Sequence, residues 1–295
     1  MAIKTDIQWT DSTINPTLGC DGCELWNELK RICYAGKWTV RLGGHNPGFA
    51  VNFEDVEFAP GRMALAAAFS DLTHTARPEK PWLKGFPRLI FVSDMADALS
   101  DAVPFNYLRD EIIANVTSAR GERHVWLWLT KRPRRMAEFS AWLLVQGITW
   151  PGNLWAGTSI TTQSSASRID DLLDVGDSGT RRFVSVEPQW GPINLGRWLN
   201  ELDWVIQGGE SGSSERVFEL EWADDLRKAC HDRGVSYFLK QLGQHATYRG
   251  KRLTSPDRHG SDWESWPRKF RVRQIPKSMR AWRIGRKSLN TSVAF

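Results

Sequence analysis

Cys20, Cys23 and Cys33 fall within one short stretch with the spacing C-x2-C-x9-C, and only one further cysteine, Cys230, occurs in the 295 residues. Thiolates are soft ligands that suit iron–sulfur clusters and zinc. Three of them on one loop fit an iron–sulfur cluster with one iron left open, or a single metal ion that takes a fourth ligand from elsewhere. A structural zinc needs that fourth protein ligand, and His45, in a Gly-rich turn, or the distant Cys230 could supply it. Cys230 lies among apolar residues of a helical pattern, where a cysteine reads as a small buried hydrophobe.

The elements that would position such a loop are legible as short apolar runs, each followed by polar or Gly-rich residues. They span 88–92, 124–129, 153–156, 182–186, 202–206 and 235–239, and an earlier strand is expected around Ile7-Gln8-Trp9. The runs are apolar throughout rather than alternating, as in parallel strands buried on both faces. Helical patterns separate them at 105–119, 134–145, 164–173 and 219–233, the last with Gly234 as its stop. About seven strands alternating with helices predict an α/β fold, a full or partial (β/α) barrel, with a doubly wound sheet as the alternative. In such a barrel the active site forms at the C-terminal ends of the strands. The cysteine loop, Asp94, Asp97, Lys131, Arg132, Ser159, Glu187, Glu210, Lys240 and Gln241 are therefore expected at one mouth. Residues 43–85 form an insertion that is expected to cover the cysteine loop. Residues 1–243 form the barrel unit, and 244–295 read as an extended arm packed on it.

The chain is long enough to bury a large core. No apolar run reaches membrane-spanning length, so no membrane partner is expected. The N-terminus carries no apolar signal region, which together with clustered cysteines points to the reducing cytoplasm. The net charge of +5 is unevenly placed: from Arg249 onward thirteen Lys and Arg face three acids. Trp263, Trp266 and Trp282 are interleaved with these cations. Aromatics among cations stack on nucleic-acid bases or cover the end of a barrel, and both readings stay open for this segment.

Several motifs in order carry a resemblance to a known family. They are Ile7-Gln8-Trp9-Thr10, Asn15-Pro16, Gly19-Cys20, Cys33-Tyr34-Ala35, Phe91-Val92-Ser93-Asp94-Met95-Ala96-Asp97, Leu129-Thr130-Lys131-Arg132-Pro133, Ser185-Val186-Glu187-Pro188, Gly208-Gly209-Glu210-Ser211-Gly212 and Lys240-Gln241. Over nearly the whole chain this pattern resembles a phage- and prophage-associated family of radical-SAM-like proteins. The resemblance implies a radical-SAM barrel in which Cys20, Cys23 and Cys33 bind a 4Fe-4S cluster whose open iron is chelated by S-adenosylmethionine (SAM). It also implies a 5′-deoxyadenosyl radical as the reactive species and a reductant protein such as a flavodoxin or ferredoxin. The location would be the host cytoplasm for a phage-encoded chain. The spacing departs from the usual C-x3-C-x2-C: Cys23 is displaced, and nine residues precede Cys33.

Within that resemblance, strand-end carboxylates and hydroxyls suit the amino group and ribose of SAM, which makes Ser93, Asp94, Ser159 and Glu187 cofactor-binding candidates. Gly208 and Gly209 would let the backbone approach the cofactor closely, and Glu210 would take a ribose hydroxyl or the substrate. Lys131, Arg132, Lys240 and Gln241 are candidates for catalysis or substrate binding through a carboxylate or phosphate. The basic arm, with Arg268, Lys269, Arg271 and Arg273 as contacts, favours a nucleic acid, with DNA as the expected substrate. The sharpest expectation is an isomerase rearranging an amino-acid adduct on thymidine in hypermodified DNA. The alternatives are a zinc-stabilised, non-catalytic nucleic-acid-binding module, and a radical-SAM enzyme on a small molecule with a merely structural arm.

Overall fold

The apolar runs become the strands of one parallel sheet in the computed structural model, which describes residues 1–210 and 216–280. In chain order, β1 (Ser12–Ile14) opens the sheet. β2 (Thr17–Leu18) leads into the cysteine loop and α1 (Tyr34–Leu42). The insertion contributes β3 (Glu57–Phe58), paired antiparallel with β2, and α2 (Arg62–Ala67). Then come β4 (Leu89–Val92), α3 (Phe105–Leu108), a π turn at Arg109–Ile113 continuing into α4 (Ala114–Thr117), β5 (Val125–Thr130), α5 (Pro133–Val145), β6 (Leu154–Ile160), α6 (Arg168–Leu173), β7 (Arg182–Val186) and β8 (Trp204–Gly208). The chain continues with β9 (Phe218–Glu219), α7 (Leu220–Asp232), β10 (Ser236–Gln241), β11 (Ala246–Tyr248) and β12 (Lys251–Arg252).

Seven strands form the main sheet in the order β1-β4-β5-β6-β7-β8-β10, every pairing parallel. The order follows the chain and leaves β1 and β10 at the two edges, so the fold is a mixed α/β half-barrel, compatible with a partial (β/α) barrel. The register brings the strand ends level: Thr130 faces Thr158, Ser159 faces Ser185, and Gln241 faces Gly208. All their C-terminal ends therefore open on one edge, as parallel pairing requires.

Both sheet faces are buried. The outer face packs Ile90, Val92, Trp126, Trp128 and Val184 against Met136, Phe139 and Leu143 of α5, Ile169 and Leu172 of α6, and Leu226 and Cys230 of α7. The inner face gathers Trp9, Phe91, Leu127, Trp155, Phe183, Trp204 and Phe238 with Ile275 and Met279 of the arm. Alternate residues of each strand serve the two layers, and for that reason the runs read as continuously apolar. α7 stops at Gly234, whose φ of 70° fits the left-handed helix stop.

Two expectations are corrected. The first strand is not at Ile7-Gln8-Trp9 but at Ser12–Ile14. The Lys80 ammonium takes the carbonyls of Thr5, Ile7 and Thr10 at 2.6–2.7 Å and curls that segment, turning the Trp9 indole into the inner core. The arm also carries strands of its own: β11 pairs parallel with β9 and antiparallel with β12. It then runs along the edge of β10, with Leu239 N–H donating to Val272 O at 2.9 Å and Gln274 N–H to Tyr237 O at 3.0 Å. Trp266 is buried, and Trp263 packs edge-on to Trp82 at 5.1 Å. Both pack against the core of the sheet; Trp282 lies outside the described residues. The insertion backs the cysteine loop as expected: Cys20 N–H donates to Phe53 O at 2.6 Å, and Trp26 Nε1 to Glu54 at 3.0 Å. Among the described residues no helix is long and apolar enough to cross a membrane.

Candidate functional site

One cavity of about 670 Å³ opens at the C-terminal edge of the sheet, and Cys20, Cys23 and Cys33 all line it. The rest of its lining comes from the strand ends: Ser93, Asp94 and Asp97 after β4, Lys131 and Arg132 after β5, Ser159 of β6, Glu187 after β7, Glu210 after β8, and Lys240 and Gln241 of β10. Gly208 and Gly209 stand behind this wall. A Cβ at Gly209 would lie 2.7 Å from the Leu242 carbonyl carbon, so this glycine is required by close packing between β8 and the end of β10. Gln241 closes the same junction, donating through Nε2 to Gly209 O at 3.0 Å.

The cysteine loop is folded back on itself. Cys23 and Trp26 exchange backbone hydrogen bonds at 2.9 and 3.0 Å, and the N–H groups of Ile32 and Cys33 both reach Leu25 O at 3.0 Å. This hairpin takes up the nine-residue gap and returns Cys33 to the start of α1, beside Cys23. Cys20 and Cys33 pack with Trp26, Ala35, Phe53 and Met95 in one apolar cluster. Burial pushes the Cys20 thiol up to about 11, with the Asp97 carboxylate adding and Arg132 opposing, and burial also raises the Cys33 thiol. Such thiols ionise readily only against a positive partner inside the protein, as a bound metal or cluster supplies. Among the described residues no three His, Cys, Asp or Glu side chains are gathered tightly enough to grip one metal ion. His45 is exposed on its turn and Cys230 is buried on the core face of α7, and neither lines the cavity.

The polar wall is already paired in part. Lys240 bonds the Glu187 carboxylate, Arg216 grips Glu210 through both oxygens at 2.8 and 2.7 Å, and Ser159 Oγ donates to Glu187 O at 3.2 Å. Asp94 accepts from Asn15 Nδ2 at 2.6 Å; enclosure nevertheless keeps its carboxyl above the usual range. Ser93 holds a φ of 71°, rare for a residue with a side chain, and so turns the chain off β4 into the site. Arg132 lines the cavity and also faces the cysteine loop. It ion-pairs with Asp21, donates to Gly22 O at 2.7 Å and to Asp97 at 3.1 Å, and lies 3.9 Å from Cys20 Sγ. Lys131 lines the cavity, and among the described residues its ammonium makes no ion pair.

The four arm cations differ in placement. Arg273 is buried beneath Trp82, Trp263 and Trp266 and donates to Lys240 O and Ser261 O at 2.9 Å. Arg271 is held by Trp266 O and Glu264 O, and Lys269 by Asp224 at 3.0 Å, while Arg268 is exposed. Sequence reasoning missed a second contribution of the arm: Asp257, His259 and Ser261 line the cavity. The Asp257 carboxylate accepts from the backbone N–H groups of His259, Ser261 and Asp262 and shapes that turn. It also missed Tyr34, which follows Cys33, lines the cavity and donates its hydroxyl to Asp94 O. Tyr34 had a local signal in its neighbour Cys33; the arm turn had none.

Residues 4–270 match the family model DUF5131, described as a protein of unknown function. No curated protein and no solved structure matches the chain.

Proposed function

We propose that this chain, which belongs to the DUF5131 family, is a radical-SAM enzyme that acts on a substrate held in the cavity beside its cysteines. The observation that carries this reading is the meeting of three thiols and the strand-end polar residues in one cavity of about 670 Å³. Cys20, Cys23 and Cys33 would hold a 4Fe-4S cluster. Such a cluster with SAM would supply hydrogen-atom abstraction from an unactivated C–H bond. The chain's own residues bind, orient and shield. The Lys131 ammonium at the cavity wall suits a carboxylate, and Ser93, Asp94 and Ser159 suit an amino group and ribose hydroxyls. The Lys240–Glu187 pair offers one charge of each sign, and the inner aromatic layer under the cavity excludes water from its floor. A one-electron donor such as a flavodoxin or ferredoxin would deliver the reducing electron.

For the substrate, the family resemblance and the basic arm favour a phage nucleic acid, most sharply an amino-acid adduct on thymidine, with the base flipped out of the duplex to reach the cavity. One observation favours a small-molecule substrate instead: Arg273, Arg271 and Lys269 spend their donors inside the protein. Anaerobic reconstitution followed by assay of 5′-deoxyadenosine from SAM, with and without phage DNA, tests both. A brown protein with about four irons that cleaves SAM is expected, and Cys20→Ala or Cys33→Ala should abolish the product. Colourless, iron-free protein from oxygen-free preparations overturns the reading. DNA binding that is strong and salt-dependent supports the nucleic-acid substrate; its absence supports the small molecule.

A further inference from the structure

The three-cysteine loop is long for a chelate, with nine residues between Cys23 and Cys33, and its Cys23–Trp26 hairpin fixes the loop on itself without fixing it to the sheet. Two arginines from consecutive strand ends take hold of its flanks. Arg132, just after β5, binds Asp21 and Gly22 O on the N-terminal side of Cys23. Its other nitrogen reaches Asp97 at 3.1 Å, and Asp97 is itself fixed by Thr130 Oγ1 at 2.8 and 2.9 Å and by Lys131 N–H at 3.2 Å. Arg168, at the start of α6, binds Glu24 on the C-terminal side through two parallel bonds of 2.9 and 2.8 Å, and it also donates to Ser159 O of β6 at 2.9 Å. Thr161 Oγ1 adds a third donor to Glu24 at 3.2 Å. A bidentate, half-buried arginine–carboxylate pair is the strong, geometrically specific kind.

Resting on the radical-SAM reading, we infer that Arg132 and Arg168 are positioning residues that clamp the Asp21–Glu24 segment onto the ends of β5 and β6, presenting Cys23 beside Cys20 as the third cluster ligand. The clamp supplies by side chains the rigidity that a shorter cysteine spacing supplies by backbone. Arg132 has a second effect: its guanidinium lies 3.9 Å from Cys20 Sγ. A cation and N–H donor beside a ligand sulfur stabilise the more negative, reduced cluster and raise its potential.

The test uses the full chain reconstituted under argon and two readouts independent of turnover: the rate of iron release to a ferrous chelator and the midpoint potential of the bound cluster. E24R and R168E each put like charges together and should speed iron release by about 10–100-fold, the usual effect of losing a group that orients a ligand. The swapped double variant E24R/R168E should recover most of the loss, and unchanged urea midpoints in the single reversals separate loosening of the loop from a folding defect. R132M should shift the potential to more negative values, with R132K recovering much of the shift. Release rates of E24R and R168E equal to the parent's, or a swap no better than the single reversals, overturn the clamp. An unchanged potential in R132M overturns the role of Arg132. A parent chain that takes up no iron instead removes the cluster reading itself, and the clamp with it; that outcome shows in the parent protein alone.

Discussion

Replacing Gly36 by alanine sets two physical effects of opposite sign against each other. Gly36 lies in the first turn of α1, and helix propensity alone favours alanine over glycine there by up to about 1 kcal/mol. Packing opposes it. A Cβ at Gly36 would stand 2.5 Å from Cζ3 and 2.7 Å from Cδ2 of Trp26, close to an ångström inside the 3.4 Å at which ordinary contact begins. Trp26 has nowhere to retreat. It is 4% exposed, bonds Glu54 through Nε1 at 3.0 Å, meets the Phe53 ring at 5.1 Å, and carries the Arg31 guanidinium 4.7 Å above its face. Overpacking of this kind costs about 1–3 kcal/mol, so G36A should be destabilised by about 1–2 kcal/mol net, a sizeable part of a typical folding stability of roughly 5–15 kcal/mol. Because Trp26 separates the Cys23 hairpin from α1, the same change should loosen the cysteine loop. Urea unfolding reads the first effect as a lower midpoint at unchanged slope. The rate at which the buried Cys20 is alkylated reads the second, including any opening of the loop ahead of the sheet. A G36A variant as stable as the parent, or more so, with Cys20 equally protected, refutes the packing argument and leaves helix propensity in charge.

His124 is fully buried, with Nε2 3.2 Å from Ala67 O, and burial pushes its pKa down to about 4 from the ordinary 6.5. The unfolded chain therefore binds the extra proton between those values: this contribution to stability is complete above 6.5, declines as pH falls, and is lost near 4, an effect of about 3 kcal/mol. H124Q should flatten the pH dependence of urea midpoints between pH 7 and 4.5, and an unaltered dependence would show that some other group governs it. Asp257 titrates in the opposite sense. Burial raises its carboxyl, but the ring of N–H donors outweighs burial and holds it down to about 2, so its support of the arm turn is present above the usual carboxylate range and fades as pH falls through 2. D257N replaces an acceptor oxygen by a donor amide facing those N–H groups. It should raise hydrogen exchange across 255–262 at neutral pH while leaving the sheet protected, and equal protection in both proteins would contradict the hub role.

The parallel sheet is legible in the sequence because strands buried on both faces cannot alternate: 89–92 and 125–129 are apolar along their length, 182–186 is largely so, and all three lie within strands. Once the strands are parallel, their polar C-terminal neighbours must share an edge. Residues as distant in sequence as Cys20, Asp94, Glu187 and Lys240 are therefore expected together, and they line one cavity. β1 leaves no such mark because Ser12 and Thr13 are polar; what makes them a strand is pairing with β4, 78 residues away in the chain. Partnership is equally invisible. Sequence marks Arg132, Arg168 and Arg273 as cations and nothing more. Only the folded chain turns the first two onto Asp21 and Glu24 and seals the third beneath Trp82, Trp263 and Trp266. The same holds for Asp257, His259 and Ser261, which reach the cavity because the arm doubles back, with Gly260 O and His259 O accepting the N–H groups of Leu242 and Gly243 at 2.9 and 3.0 Å. Hydrophobic periodicity is a local property written along the chain; the pairing of one charge with another is a property of two segments that only folding brings within reach of each other.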